Sequence, residues 1–147
     1  MTTKLFLAKY GSTDHINAAL SDEDWNVRRM AASNHTISKD NLEKSLADED
    51  YRVRKFAVLN PNTTKTHIEA AVNDINQIVR ADALKNQHTT KEQVAKAMTD
   101  SHFGVRAAAA KHPLATKAHI NIALKDYDTM VRCNAIRNPN AAKEHVG

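Results

Sequence analysis

A chain of 147 residues, 41% of them hydrophobic, is long enough to bury one ordinary core, and nothing in its composition points to disorder. Three glycines, three prolines and 5% aromatic residues leave little for tight turns and strands, and no apolar run approaches the roughly eighteen residues of a membrane span, so an all-helical cytoplasmic protein is expected. With Cys133 as the only cysteine, an internal disulfide and a metal or iron-sulfur centre built on several thiolates are excluded; a net charge of +4 with a pI near 9.2 suits an acidic partner or nucleic acid without choosing between them.

Past the first stretch, residues 1–26, a pattern recurs down the chain. Val27, Val53, Val79, Val105 and Val131 stand 26 residues apart, each followed by an arginine: Arg28, Arg54, Arg80, Arg106 and Arg132. Counting the valine as column one, column five is alanine five times and column eight is Asn34, Asn60, Asn86, His112 and Asn138. Such a period predicts a helical array. The reading is an all-α, right-handed α-solenoid of about five and a half two-helix repeats in a single domain. Residues 1–26 form an N-terminal capping repeat, because Met1-Thr2 replaces Val-Arg and Leu5-Phe6 replaces the alanines. Full repeats follow at 27–52, 53–78, 79–104 and 105–130, then a partial one at 131–147.

Within each repeat the first helix is expected to start near Asp24, Asp50 or Asp128, to run through Val-Arg, and to stop at column eight, where proline often follows. The second starts at Ser12, Ser38, Thr64, Thr90 or Thr116 and buries an i, i+3, i+4 stripe such as Ile68, Ala71 and Val72. Helices of about nine residues are unstable alone, so stacking has to hold them. The arginine points into the apolar side of the first helix, where its permanent charge needs a carboxylate. Asp22, Asp48, Asp74, Asp100 and Asp126, six residues earlier, are the acidic column of every complete repeat. An Asp-Arg ladder is therefore expected, with Asp48 and Arg54, Asp74 and Arg80 and their equivalents pairing within or between repeats.

The last copy stops at Val146-Gly147, in mid-helix by the register. Either this end frays or the chain is part of a longer array; a native cut would leave an apolar edge for end-to-end stacking on another molecule.

The phrase D-x-D-x-x-V-R-x-x-A-A-x-N-P-x-T resembles the short repeats of the HEAT-like α-solenoid superfamily, most closely the leucine-rich repeat variant, over essentially the whole chain. The resemblance implies an inter-repeat aspartate-arginine hydrogen-bond ladder, short helices joined at Asn-Pro, and a scaffold whose partner the family does not specify. The cysteines that carry an iron-sulfur cluster beside such repeats in a known member are absent, so no cofactor is expected.

For function, the ladder and the column-eight asparagines are read as structure. Lys39, Lys65, Lys91, Lys117 and Lys143 stand apart: lysine in the first turn opposes the helix dipole at a cost of a few tenths of a kcal/mol. They either solubilise a rim or form a basic stripe with one charge about 8–10 Å from the next. Arg29, Lys55, Lys85, Lys111 and Arg137 add to the positive field on the first helices. His15, His67, His119 and His145 share a column, but stacked repeats hold equivalent residues too far apart for a metal. No phosphate loop, nucleophile elbow or HExxH motif occurs. The first reading is a non-enzymatic scaffold for a protein partner, individualised at columns fourteen, seventeen and eighteen, with Asp40, Thr66, Glu92 and Ala118 at fourteen. The second is a phosphate-backbone binder using the lysine stripe, and the third a HEAT-like DNA glycosylase. No membrane association is expected.

Overall fold

The computed structural model describes residues 1–141. Among them lie eleven helices and no strand: α1 (Thr3–Tyr10), α2 (Thr13–Leu20), α3 (Trp25–Ala32), α4 (Lys39–Leu46), α5 (Tyr51–Val58), α6 (Lys65–Ala71), α7 (Gln77–Ala83), α8 (Lys91–Ala97), α9 (Phe103–Ala110), α10 (Lys117–Ala123) and α11 (Thr129–Arg137). From α3 onward the odd-numbered helices begin at 25, 51, 77, 103 and 129, and the even-numbered ones from α2 at 13, 39, 65, 91 and 117. Both series repeat the 26-residue spacing of the sequence. The partial repeat beyond residue 141, with Lys143, His145 and Val146, lies outside the described residues.

Local chemistry sets where each helix starts. Asp24, Asp50 and Asp128 accept hydrogen bonds from the backbone N–H groups two residues on, at 2.8 Å each, and Asn76 and His102 do the same for α7 and α9. At the even helices, Ser38, Thr64, Thr90 and Thr116 accept from the N–H three residues on. The third residue returns the bond: Gln93 Oε1 accepts from Thr90 N–H, and His67 Nδ1 and His119 Nδ1 accept from Thr64 and Thr116 N–H at 3.1 and 3.2 Å. His15, His67 and His119 thus serve as the second half of a capping box.

The helices group into two compact units, Met1–Ala71 and Val72 onward. In the first unit, α3 packs between α1 and α5, while α2, α4 and α6 form a second row against them. Its core joins Ile16, Val27, Ala31, Leu42, Val53 and Ala57, with Leu5, Trp25, Met30 and Phe56 packed at the margin. The second unit repeats this with α9 between α7 and α11, and α8 and α10 alongside, around Leu84, Val94, Val105, Ala109, Ile120, Val131 and Ala135. The alanines of column five are all fully buried. Leu42, Ile68, Val94 and Ile120 are likewise shut off from solvent; truncating any one to alanine should cost about 2–5 kcal/mol.

Candidate interaction surface

The arginines of column two take the carboxylate of the aspartate twenty residues ahead, in column twenty-two of the same repeat. Arg28 Nε and Nη2 donate to the two carboxylate oxygens of Asp48 at 2.8 and 3.1 Å, twenty residues ahead. Arg80 holds Asp100 in the same forked way at 2.8 and 2.8 Å, and Arg106 holds Asp126 at 2.7 and 3.1 Å. The third nitrogen reaches back into the preceding repeat. Arg28 Nη1 donates to the carbonyls of Asp22 and Glu23, and Arg54, Arg80, Arg106 and Arg132 Nη1 make the equivalent bonds to the carbonyls six and five residues earlier. Asp48 thus offers its carboxylate to Arg28 and its main-chain carbonyl to Arg54. Each carboxylate oxygen Oδ1 also accepts from the N–H two residues on, as Asp48 does from Asp50 and Asp126 from Asp128. At the start of the array Asp22 is bound by Lys4, which holds its carboxyl below the usual range. The Arg106 hydrogen bond does the same for Asp126; at Asp100 burial pushes upward, and Arg80 with the His102 N–H outweighs it.

A second set of clips lies at column eight. Asn34 Nδ2 donates to the carbonyls of Ala8 and Lys9, Asn60 Nδ2 to Ala32 and Asn34, and Asn138 Nδ2 to Ala110 and His112, at 2.7–3.3 Å. Their Oδ1 atoms accept from the N–H two residues on. His112 does the same work with a ring: Nδ1 accepts from Leu114 N–H at 3.1 Å, and the imidazole hydrogen-bonds the backbone of Leu84. Burial pushes its pKa below the ordinary value.

Lys39, Lys65, Lys91 and Lys117 are the first residues of α4, α6, α8 and α10, and all are exposed. Lys39 sits 3.8 Å from Glu43 and Lys65 4.0 Å from Glu69, one turn along their own helices. In the second unit Lys91 and Lys117 line one open groove of about 530 Å³ with Leu114, Thr116 and Asn140. Lys143 lies outside the described residues.

The outer edge of the odd helices is the surface that the sequence reading did not single out. In the first unit Arg52 lies over the Trp25 ring at 3.5 Å and is held there by Asp50, which accepts from its Nε at 2.9 Å and its Nη2 at 2.6 Å. Arg52 lowers the Asp50 pKa to about 2. Arg29 lies between Trp25 and Phe56, 5.7 and 5.0 Å from the two rings. In the second unit this edge carries Ile75, Ile78, Phe103, Tyr127 and Met130, all exposed. Phe103, Tyr127, Met130, Cys133 and Asn134 line a groove of about 760 Å³ between α9 and α11, rimmed by Lys111 and Arg137.

Among the described residues no group of three or more His, Cys, Asp and Glu could hold a metal, and no helix is long and apolar enough to cross a membrane. No protein-family model and no curated protein matches the chain.

Proposed function

We propose that the chain is a HEAT-like repeat scaffold, close to the leucine-rich repeat variant, that holds a protein partner and performs no catalysis. One observation carries this reading: the arginines, aspartates, valines and alanines common to the repeats are spent on folding, while large apolar side chains that vary from repeat to repeat face solvent. The arginines and aspartates are engaged with one another and with main-chain carbonyls, and the alanines and valines are buried. Ile75, Tyr127 and Met130, by contrast, are 92%, 82% and 56% exposed. Large apolar side chains exposed to this degree are what protein partners cover. The test is affinity capture on the immobilised chain with and without nuclease. A defined set of proteins retained after nuclease treatment is the expected result; a set that nuclease releases would refute the reading.

A second reading, contact with a phosphate backbone, is favoured by the groove that brings Lys91 and Lys117 together. It predicts binding of single- or double-stranded DNA or RNA, followed by anisotropy, that weakens by orders of magnitude between about 50 and 200 mM salt. The paired states of Lys39 and Lys65 argue for the protein reading first.

A further inference from the structure

The groove between α9 and α11 has an equivalent three repeats earlier, which shows what removing side chains has done to it. Subtracting 78 places Phe103 on Trp25, Ala107 on Arg29, Met130 on Arg52 and Asn134 on Phe56. In the first unit these positions close over one another: Arg52 covers the indole, Asp50 locks Arg52, and Arg29 joins Trp25 to Phe56. In the second unit each covering group is shorter or gone. Ala107 has no head to reach the ring, Asn134 turns its amide to the Ala107 carbonyl at 2.9 Å, and Met130 is 56% exposed. The aromatic floor remains, with Phe103 open to solvent and Tyr127 replacing Glu49.

The rim gains two cations in the same comparison. Lys111 stands where Ser33 was, and Arg137 where Leu59 was. Both are exposed, and among the described residues neither is ion-paired. The carboxylate within the groove, Asp128, accepts from the N–H groups of Met130 and Val131 as the cap of α11. Arg106, beneath the Tyr127 ring at 4.6 Å, is committed to Asp126. A flexible thioether over an aromatic floor accommodates large apolar side chains of varied shape, and the two rim cations select against basic flanks.

From this substitution of a closed shelf by an open, cation-rimmed groove, we infer that the α9–α11 groove docks an acidic peptide segment of a partner, anchored by a bulky apolar side chain on Phe103, Tyr127 and Met130. The inference rests on the scaffold reading and names its site and the chemistry of its partner.

The test uses the full chain and a fluorescein-labelled synthetic peptide with a Trp-Leu centre flanked by aspartates and glutamates, read by anisotropy. Two control peptides replace the apolar centre by serines or the acidic flanks by lysines. Met130→Arg restores the residue found at the closed shelf. It adds positive charge, so attraction by charge alone would strengthen, whereas loss of the anchor pocket should weaken binding about ten-fold or more. Tyr127→Ser, at a position 82% exposed, removes floor without touching the core and should weaken binding as well. Tight binding of the acidic apolar peptide, with loss in both variants and in both controls, is expected. Equal binding of the serine peptide, preference for the lysine peptide, or Met130→Arg binding as well as wild type would overturn the groove. So would concentration-dependent dimerisation in sedimentation that Met130→Arg abolishes, since a second copy would then be the occupant. Proteins captured equally by wild type and Met130→Arg would overturn the groove and leave the scaffold reading standing; capture no better than bare resin would remove both.

Discussion

At the Trp25 edge of the first unit, Arg52 lies flat on the indole and Asp50 holds it there; at the Phe103 edge of the second, Met130 takes the equivalent place and leaves the ring open. The helices beneath are the same length in three of four cases, start at the same register, and carry the same valine, arginine and alanine inside. The difference teaches that the repeat separates two jobs by column. Columns one, two, five, eight and twenty-two hold each unit together, and columns three, four, seven, twenty-three, twenty-five and twenty-six decide what it presents. Exchanges in the second set leave the ladder and clips intact, so the surface is free to diverge while the framework stays constant.

If the framework is shared, damage to it should be equally severe in either unit. Arg28→Ala in the first and Arg106→Ala in the second each strand a mostly buried carboxylate, Asp48 or Asp126, and each should cost about 3 kcal/mol in urea unfolding. A gap between the two well above about 1 kcal/mol would break that half of the comparison.

The clips come next. Asn60→Ala leaves the carbonyls of Ala32 and Asn34 without their side-chain donor and should cost about 2 kcal/mol by the same measurement. An unchanged midpoint would show that the column-eight side chain is dispensable.

His112 makes the second unit pH-sensitive where an asparagine would not. Its folded pKa lies below the ordinary 6.5, so the folded state favours the neutral ring; this contribution is complete above about pH 6.5 and is lost as pH falls through the lowered value. Protonation of Nδ1 would also remove the acceptor for Leu114 N–H. Thermal melts between about pH 8 and pH 5 should therefore drop further for wild type than for His112→Asn, the other histidines being common to both. Parallel curves would remove His112 from the account.

The smallest effect concerns the shelf itself. Arg52→Met copies the second unit's residue into the first and should expose Trp25, the sole tryptophan, to acrylamide quenching while far-UV circular dichroism stays unchanged. Quenching equal to wild type would mean that Arg52 does not shield the ring.

The framework was legible because it is periodic. A 26-residue repeat with Ser/Thr and Asp at fixed places dictates caps, and a charged residue among apolar columns dictates a partner. Which aspartate the arginine takes was not legible: the acidic residue six positions back offers its carbonyl, and the carboxylate comes from twenty positions ahead, a choice made by stacking geometry. His15, His67 and His119 stood three residues after Ser12, Thr64 and Thr116, but histidine in place of glutamate carries no strong signal. Attention to constant columns also drew the eye to the lysines, although Glu43 and Glu69 stood four residues beyond two of them. The groove hides for the converse reason, since it is built from columns that follow no pattern: column twenty-six, for one, is Asn26, Arg52, Ile78, Gly104 and Met130.

The forked arginine has a consequence for how such a chain changes length over generations. The units 27–52, 79–104 and 105–130 each close their own arginine–aspartate fork and offer the aspartate's main-chain carbonyl to the arginine of the unit that follows. A duplicated or lost unit therefore arrives or leaves with its bonds balanced, and its new neighbours find complementary groups in register. Insertion of a single residue has no such compensation, because it shifts donor from acceptor at that junction. Recombination between copies is thus chemically silent at the joints, and gain or loss of whole units is the easiest change in size open to this gene.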